Sequence, residues 1–182
     1  MAEGYLSILL HAHLPYVRAA ARRPDPAEYW YLERARECYL PLIRILDELH
    51  RDQVRTRLTI ALSPTLIQTM RDPRLQDRLI AHVRQMVELS ARELNRTALM
   101  PELRVLTGTY HLRLLQILRA VEDRCGGNLL NAFRDMDARG QVELIAAPAS
   151  NAFLPGLAAM HPDAVRCQVR LGLDVFQNAI GR

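Results

Sequence analysis

The sequence predicts an α/β fold, rich in helix, with about three short strands pairing in parallel. Three observations predict it. Brief apolar runs at residues 5–10, 57–62 and 141–147 have the length and the β-branched or aromatic content of buried strands. The stretches between them repeat apolar residues at three- and four-residue steps, the period of a helix with one buried side. The order is strand, helix, strand, several helices, strand, helix. Consecutive strands separated by helices pair in parallel through right-handed crossovers.

The first strand, YLSILL, runs into His11-Ala12-His13-Leu14-Pro15 and a loop rich in Arg and Pro around Arg22 and Pro26. A helical stripe follows at Leu32, Ala35, Tyr39, Leu42, Leu46 and Leu49. Pro41 lies inside it and should kink or split the helix, because it removes a backbone hydrogen bond. RLTIAL is the second strand, closed by Ser63-Pro64. Asp72-Pro73 reads as an N-cap and first turn. Leu75, Leu79, Val83, Met86 and Leu94 mark a long amphipathic helix, and Leu103, Leu106, Tyr110, Leu114, Ile117 and Val121 another, stopped by Gly126-Gly127. Asn128 caps a shorter helix holding Phe133 and Met136, ended by Gly140. QVELIAA is the third strand. After a loop over residues 148–156, Pro162 opens a last helix with the stripe Val165, Val169, Leu173, Phe176 and Ile180, stopped by Gly181.

With 182 residues, 49% of them hydrophobic and 24% charged, the chain has the size and composition of one domain, residues 1–182, with a real core. No apolar run approaches the roughly 18 residues of a membrane span. The first residues lack a basic segment and a signal-like apolar core, so a cytoplasmic location is expected. Cys38, Cys125 and Cys167 are widely spaced and form no CxxC pair, which argues against a disulfide framework or a thiolate metal site. The net charge is only +4, and Arg alternates with Asp and Glu, as in Asp72, Arg74, Asp77 and Arg78. That is the pattern of solvated helix surfaces, not of a nucleic-acid-binding face.

Chemistry concentrates after the first strand. Residues two apart in extended backbone point the same way, so His11 and His13 should face one side at the strand's carboxyl end. In α/β barrels that end carries the active site. Two imidazoles there can partner sugar hydroxyls, bind a metal, or simply pack at a barrel mouth. Trp30, the only tryptophan, is either a stacking platform or a staple for its helix. Glycoside chemistry needs two flanking carboxyl groups. Glu143, in mid-strand, and Glu33, at a helix start, make no convincing pair. No nucleotide-binding glycine loop, GxSxG elbow or HExxH motif is present. No catalytic residue, metal ligand set or cofactor is therefore assigned.

Several segments resemble the α-glucan branching enzymes of glycoside hydrolase family 57. GYLSILLHAHLPYVR is similar to that family's opening strand, which ends in HxHxPYVR. The stretch from Trp30 through Glu33 to Leu42 resembles its W-x-x-E…E-T-Y-[IL]-P-L segment, and LTIALSPTL its second strand and turn. GQVELIAAPASNAFLPG is similar to its block ending A-T-H-G-[YF]-x-P-L, and Ala164 to Gly172 to its A-[VI]-x-A-Q-[IV]-x-x-G helix. The resemblance implies the N-terminal part of a distorted (β/α)7 barrel acting on α-1,4-glucan. It implies cleavage through a covalent glycosyl-enzyme and transfer to a 6-hydroxyl, making an α-1,6 branch. His11 and His13 would contact the sugar, Trp30 would be the aromatic near the donor site, and Asn151 would stand where the family has histidine. The family's nucleophile Glu, expected about ten residues beyond Arg182, and its acid/base Asp are not among these residues. Inactivity of the chain alone is expected, with a companion polypeptide completing the barrel, or self-association through an open strand edge. Alternatives are a non-catalytic glucan-binding or scaffold protein and, through the HxH, a fragment of a metal-dependent hydrolase.

Overall fold

The computed structural model describes residues 4–19 and 26–181; most of the Arg- and Pro-rich loop expected near Arg22 lies outside them. Strands β1 (Leu9–Ala12), β2 (Leu58–Leu62) and β3 (Val142–Ala146) form one parallel sheet in that order. Leu9, Leu10, His11 and Ala12 lie opposite Thr59, Ile60, Ala61 and Leu62, which lie opposite Glu143, Leu144, Ile145 and Ala146. The helices are α1 (Pro26–Arg34), α2 (Leu40–Arg51), α3 (Pro64–Arg71), α4 (Pro73–Arg96), α5 (Pro101–Arg119), α6 (Leu129–Ala138), α7 (Leu154–Met160) and α8 (Pro162–Ile180). A π-helical turn at Ala35–Tyr39 joins α1 to α2, and another at Ala120–Arg124 extends α5.

The first strand starts later than its apolar run suggests. Its ladder has nothing to pair with before Ile8, whose carbonyl accepts from Thr59 N at 3.1 Å, and Tyr5 and Leu6 stand 102% and 87% exposed. His11 is consequently part of β1 itself. The other two strands fall one residue or so inside their expected bounds.

Opposed residues of a parallel ladder share a face. Leu10, Ala12, Ile60, Leu62, Leu144 and Ala146 form one face and belong to, or pack on, the hydrophobic core with Leu66, Leu79, Phe133 and Phe176. Leu9, His11, Thr59, Ala61, Glu143 and Ile145 form the other. There Leu9 is 56% exposed, and His11 and Glu143 are exposed. The core thus fills one side of the sheet and leaves the opposite side open.

The helix is divided near Pro41, as expected, by a change of helix type: α1 gives way to a π turn, and α2 begins one residue before the proline. The backbone before it slips into a π turn, in which Leu40 N–H reaches back five residues to Ala35 O, and Pro41 sits in the first turn of α2. The extra residue rotates the buried stripe: Leu40, Ile43 and Leu46 are buried, whereas Tyr39, Leu42 and Leu49 are only partly covered. Ser63, Asp72 and Asn128 accept N-terminal amides of α3, α4 and α6 through their side chains. Two short helices, α3 and α7, occupy stretches expected as turn and loop. The stripe assigned to α5 is buried only at its C-terminal end; Leu103, Leu106 and Tyr110 are exposed. On α8 the buried residues are Gly172, Phe176 and Ala179, while Val169 and Leu173 are exposed.

Candidate functional site

Two crossovers bring the expected polar residues together at the carboxyl ends of the strands. His11 projects from β1 on the open face, and His13 follows one step beyond the ladder. Their rings are nearly parallel, 22° apart, with centroids separated by 6.1 Å, as the two-residue repeat requires. The loop after β3 delivers Asn151 from 140 residues away, and its Oδ1 lies 2.8 Å from His11 Nε2. With the amide oxygen as acceptor, Nε2 carries the ring proton, and a neutral His11 keeps Nδ1 free to accept a hydroxyl. Burial, reinforced by the neighbouring His11, holds the His13 imidazole below its ordinary pKa, and its buried Nδ1 has no hydrogen-bond partner among the described residues. The pair therefore presents unspent hydrogen-bonding capacity on this wall.

The supporting structure is local. Asn151 has φ +58°, a left-handed conformation that asparagine tolerates better than most residues, and its N–H closes a turn on Pro148 O at 3.0 Å. Below His13, Thr65 at the start of α3 donates to Leu14 O at 2.7 Å and bonds Ser63 Oγ at 3.1 Å. The loop carrying Leu14 and Val17, both buried, is thereby pinned to β2's turn.

Trp30 lies on α1, 46% exposed, while its neighbour Tyr31 is the buried staple at 1%. Among the described residues no ring contact or hydrogen bond ties Trp30 to His11, His13 or Asn151. Glu33 on α1 is engaged elsewhere: Oε2 takes Arg36 at 2.6 Å and Oε1 meets His82 Nε2 on α4 at 2.8 Å. Burial pushes its carboxyl upward, but these partners outweigh that and hold it below the usual range. Glu143 shares the open face with His11 but sits opposite Thr59, near the amino end of the ladder, and accepts Thr59 Oγ1 at 3.2 Å. Neither carboxylate is poised for glycoside chemistry. Among the described residues no group of three His, Cys, Asp or Glu converges to hold a metal ion, so the HxH lacks the remaining ligands of a metal centre. The three cysteines are free thiols, and burial pushes that of Cys125 up to about 12. No helix among the described residues is long and apolar enough to cross a membrane.

Residue reasoning alone passed over Gln168 and Gly172 on α8. Gln168 O accepts Ala149 N at 3.0 Å, and Gln168 Oε1 accepts Ser150 N at 2.9 Å and Ser150 Oγ at 3.1 Å. Gly172 meets Ala147 O so closely that a Cβ would stand 2.3 Å from it. Their spacing in the A-[VI]-x-A-Q-[IV]-x-x-G resemblance was the available signal.

Fold and site together define a parallel α/β protein whose polar groups gather at the carboxyl ends of its strands. Residues 7–182 match glycosyl hydrolase family 57, and the chain belongs to that family. It is 25% identical over 186 residues to a 1,4-alpha-glucan branching enzyme of Thermococcus kodakarensis, covering 98% of this chain and 26% of that protein. It is similar to the alpha-amylase AmyC of Thermotoga maritima, with TM-score 0.88 and 29% identity over 97% of this chain and 33% of the other. The GH57-type branching enzyme of Pyrococcus horikoshii superposes with TM-score 0.86 at 27% identity, over 100% of this chain and 33% of its own. The chain thus spans about a third of these solved relatives and corresponds to their N-terminal part. The helix-rich N-terminal part of a (β/α)7 barrel, with three parallel strands, is the fold expected from the sequence.

Proposed function

We propose that this chain is the N-terminal, substrate-holding part of an α-1,4-glucan branching enzyme. The observation that carries the proposal is the His11–Asn151 hydrogen bond beside the His13 ring, at the strand ends of a family 57 fold. Two imidazoles and an amide present donors and acceptors suited to the hydroxyls of a glucose unit. Exposed Trp30 adds an aromatic face on which a sugar ring can stack. On this reading the chain orients the glucan, and the nucleophile and acid/base come from the part of the family fold that it does not span. No carboxylate pair in the described residues does that work, and without one the covalent step lacks its group.

The open sheet face and the free edges of β1 and β3 support a polypeptide partner: a companion chain carrying the rest of the barrel or, in its absence, a second copy. The likeness to an enzyme described as an alpha-amylase supports a second reading, hydrolysis instead of transfer. The two share this glucan wall and differ in what accepts the cleaved segment.

Isothermal calorimetry with maltoheptaose tests the shared part. The wild-type chain should bind weakly, with a Kd of about 1 mM, and His11→Ala should weaken binding about tenfold, the loss of one hydrogen bond. No heat from either protein overturns the proposal. Adding a polypeptide that spans the remainder of the family fold then separates the readings: branch points point to transfer, reducing ends alone to hydrolysis.

A further inference from the structure

We infer that Gln168 is a positioning residue, acting from α8 to set the side chain of Asn151 against His11. The inference rests on the proposed site, because it concerns how that site is held. Asn151 reaches His11 across 140 residues of chain, from an exposed turn. Left to itself, such a turn samples other conformations, the more so with a non-glycine residue at φ +58°. What fixes it is one side of α8. The carbonyl of Gln168 accepts Ala149 N, and its amide oxygen accepts both Ser150 N and Ser150 Oγ. One residue thus holds two consecutive residues of the turn by three hydrogen bonds, immediately before Asn151.

Gly172, one helical turn further on, makes this possible. Its missing side chain lets Ala147 O lie against the helix, which brings the turn within reach of Gln168. The side chain of Gln168 acts purely as an acceptor toward Ser150, so a carboxylate at this position keeps the function and an apolar side chain abolishes it. Asn151 in turn decides which ring nitrogen of His11 is protonated, and hence whether Nδ1 faces a ligand as an acceptor. Gln168 therefore governs a tautomer that it does not touch.

The test is the tautomer of His11 in the whole chain, read from long-range proton–nitrogen NMR couplings at pH 8. Wild type should show the Nε2-protonated form predominating by about tenfold, the bias of one hydrogen bond. Gln168→Leu should bring the two forms within about twofold of each other and weaken maltoheptaose binding several-fold. Gln168→Glu should restore both values. Should Gln168→Leu fail to fold, Ser150→Ala, which removes one of the two side-chain bonds and leaves α8 untouched, should shift the ratio part of the way. A lowered Tm with an unchanged His11 ratio in the folded variants overturns the inference and makes Gln168 a structural residue only. A shifted ratio in a protein whose wild type binds no maltooligosaccharide leaves the positioning role standing and removes the glucan reading.

Discussion

Single atoms govern the site, and two of them make measurable predictions. A methyl group on Gly172 would stand 2.3 Å from Ala147 O, a distance no relaxed structure keeps, and the obstacle is backbone. Gly172→Ala should therefore destabilise the chain by about 1–3 kcal/mol, the cost of overpacking. Its helix-favouring effect, at most about 1 kcal/mol, does not offset that. A lower urea midpoint is the expected result; an unchanged one would mean that α8 sits further from the turn. His13 predicts a pH dependence. Burial and then His11 hold its imidazole below the ordinary value, so the unfolded chain takes up a proton that the folded chain resists. Stability from this group is complete above about pH 6.5 and declines as pH falls from there toward the lower folded value. Urea unfolding at pH 7.5 and 5.5 should show a smaller loss in His13→Gln than in wild type, and equal losses would contradict the assignment.

The helices are tied to one another by a few ionic clasps at the element scale. Asp47 on α2 binds Arg124 of the second π turn at 2.7 Å and Arg139, just past α6, at 2.9 Å; both arginines also hold Asp135 of α6. Burial raises the Asp47 carboxyl, but the two arginines outweigh it and hold it below the usual carboxylate range. Its contribution is present above the unfolded value of about 3.9 and is lost as pH falls through the lower folded value. Asp47→Asn should cost about 1 kcal/mol at pH 7, a network of half-exposed pairs being worth little more. It should also flatten the acid limb of the stability curve; a wild-type acid limb in the variant would show that the clasp is idle. The π turns illustrate what periodicity misses. Apolar spacing located α1 and α2 and flagged Pro41, but the extra residue of the turn moved the buried stripe to Leu40 and Ile43. The same counting placed α8's stripe on Val165, Val169, Leu173, Phe176 and Ile180, whereas the close approach at Gly172 selects Gly172, Phe176 and Ala179.

The whole molecule carries a sheet that is finished on one side only. Leu9 and Ile145 line its open face, β1 and β3 are edges, and Tyr5, Leu6 and Tyr16 are exposed beside them. Parallel sheets are ordinarily covered on both faces, and an uncovered face with free edges drives association. Light scattering on the purified chain should therefore report oligomers, and Leu9→Lys with Ile145→Lys should shift the population toward monomer. A monodisperse wild-type monomer would contradict that expectation.

Order along the chain settled much by itself. Three apolar runs separated by helices left parallel pairing as the only economical topology, and Asp72, Asn128, Gly140 and Gly181 marked element ends that local backbone chemistry alone requires. The two-residue step from His11 to His13 put both rings on one side, since strand geometry fixes that alternation. Three-dimensional packing decided the rest. That Asn151 meets His11, that Glu143 is turned to Thr59, and that Gln168 holds the turn all depend on contacts between residues far apart in the chain. Periodicity reports which side of an element is apolar; only the packed structure sets which distant residue comes to face it, and at what distance.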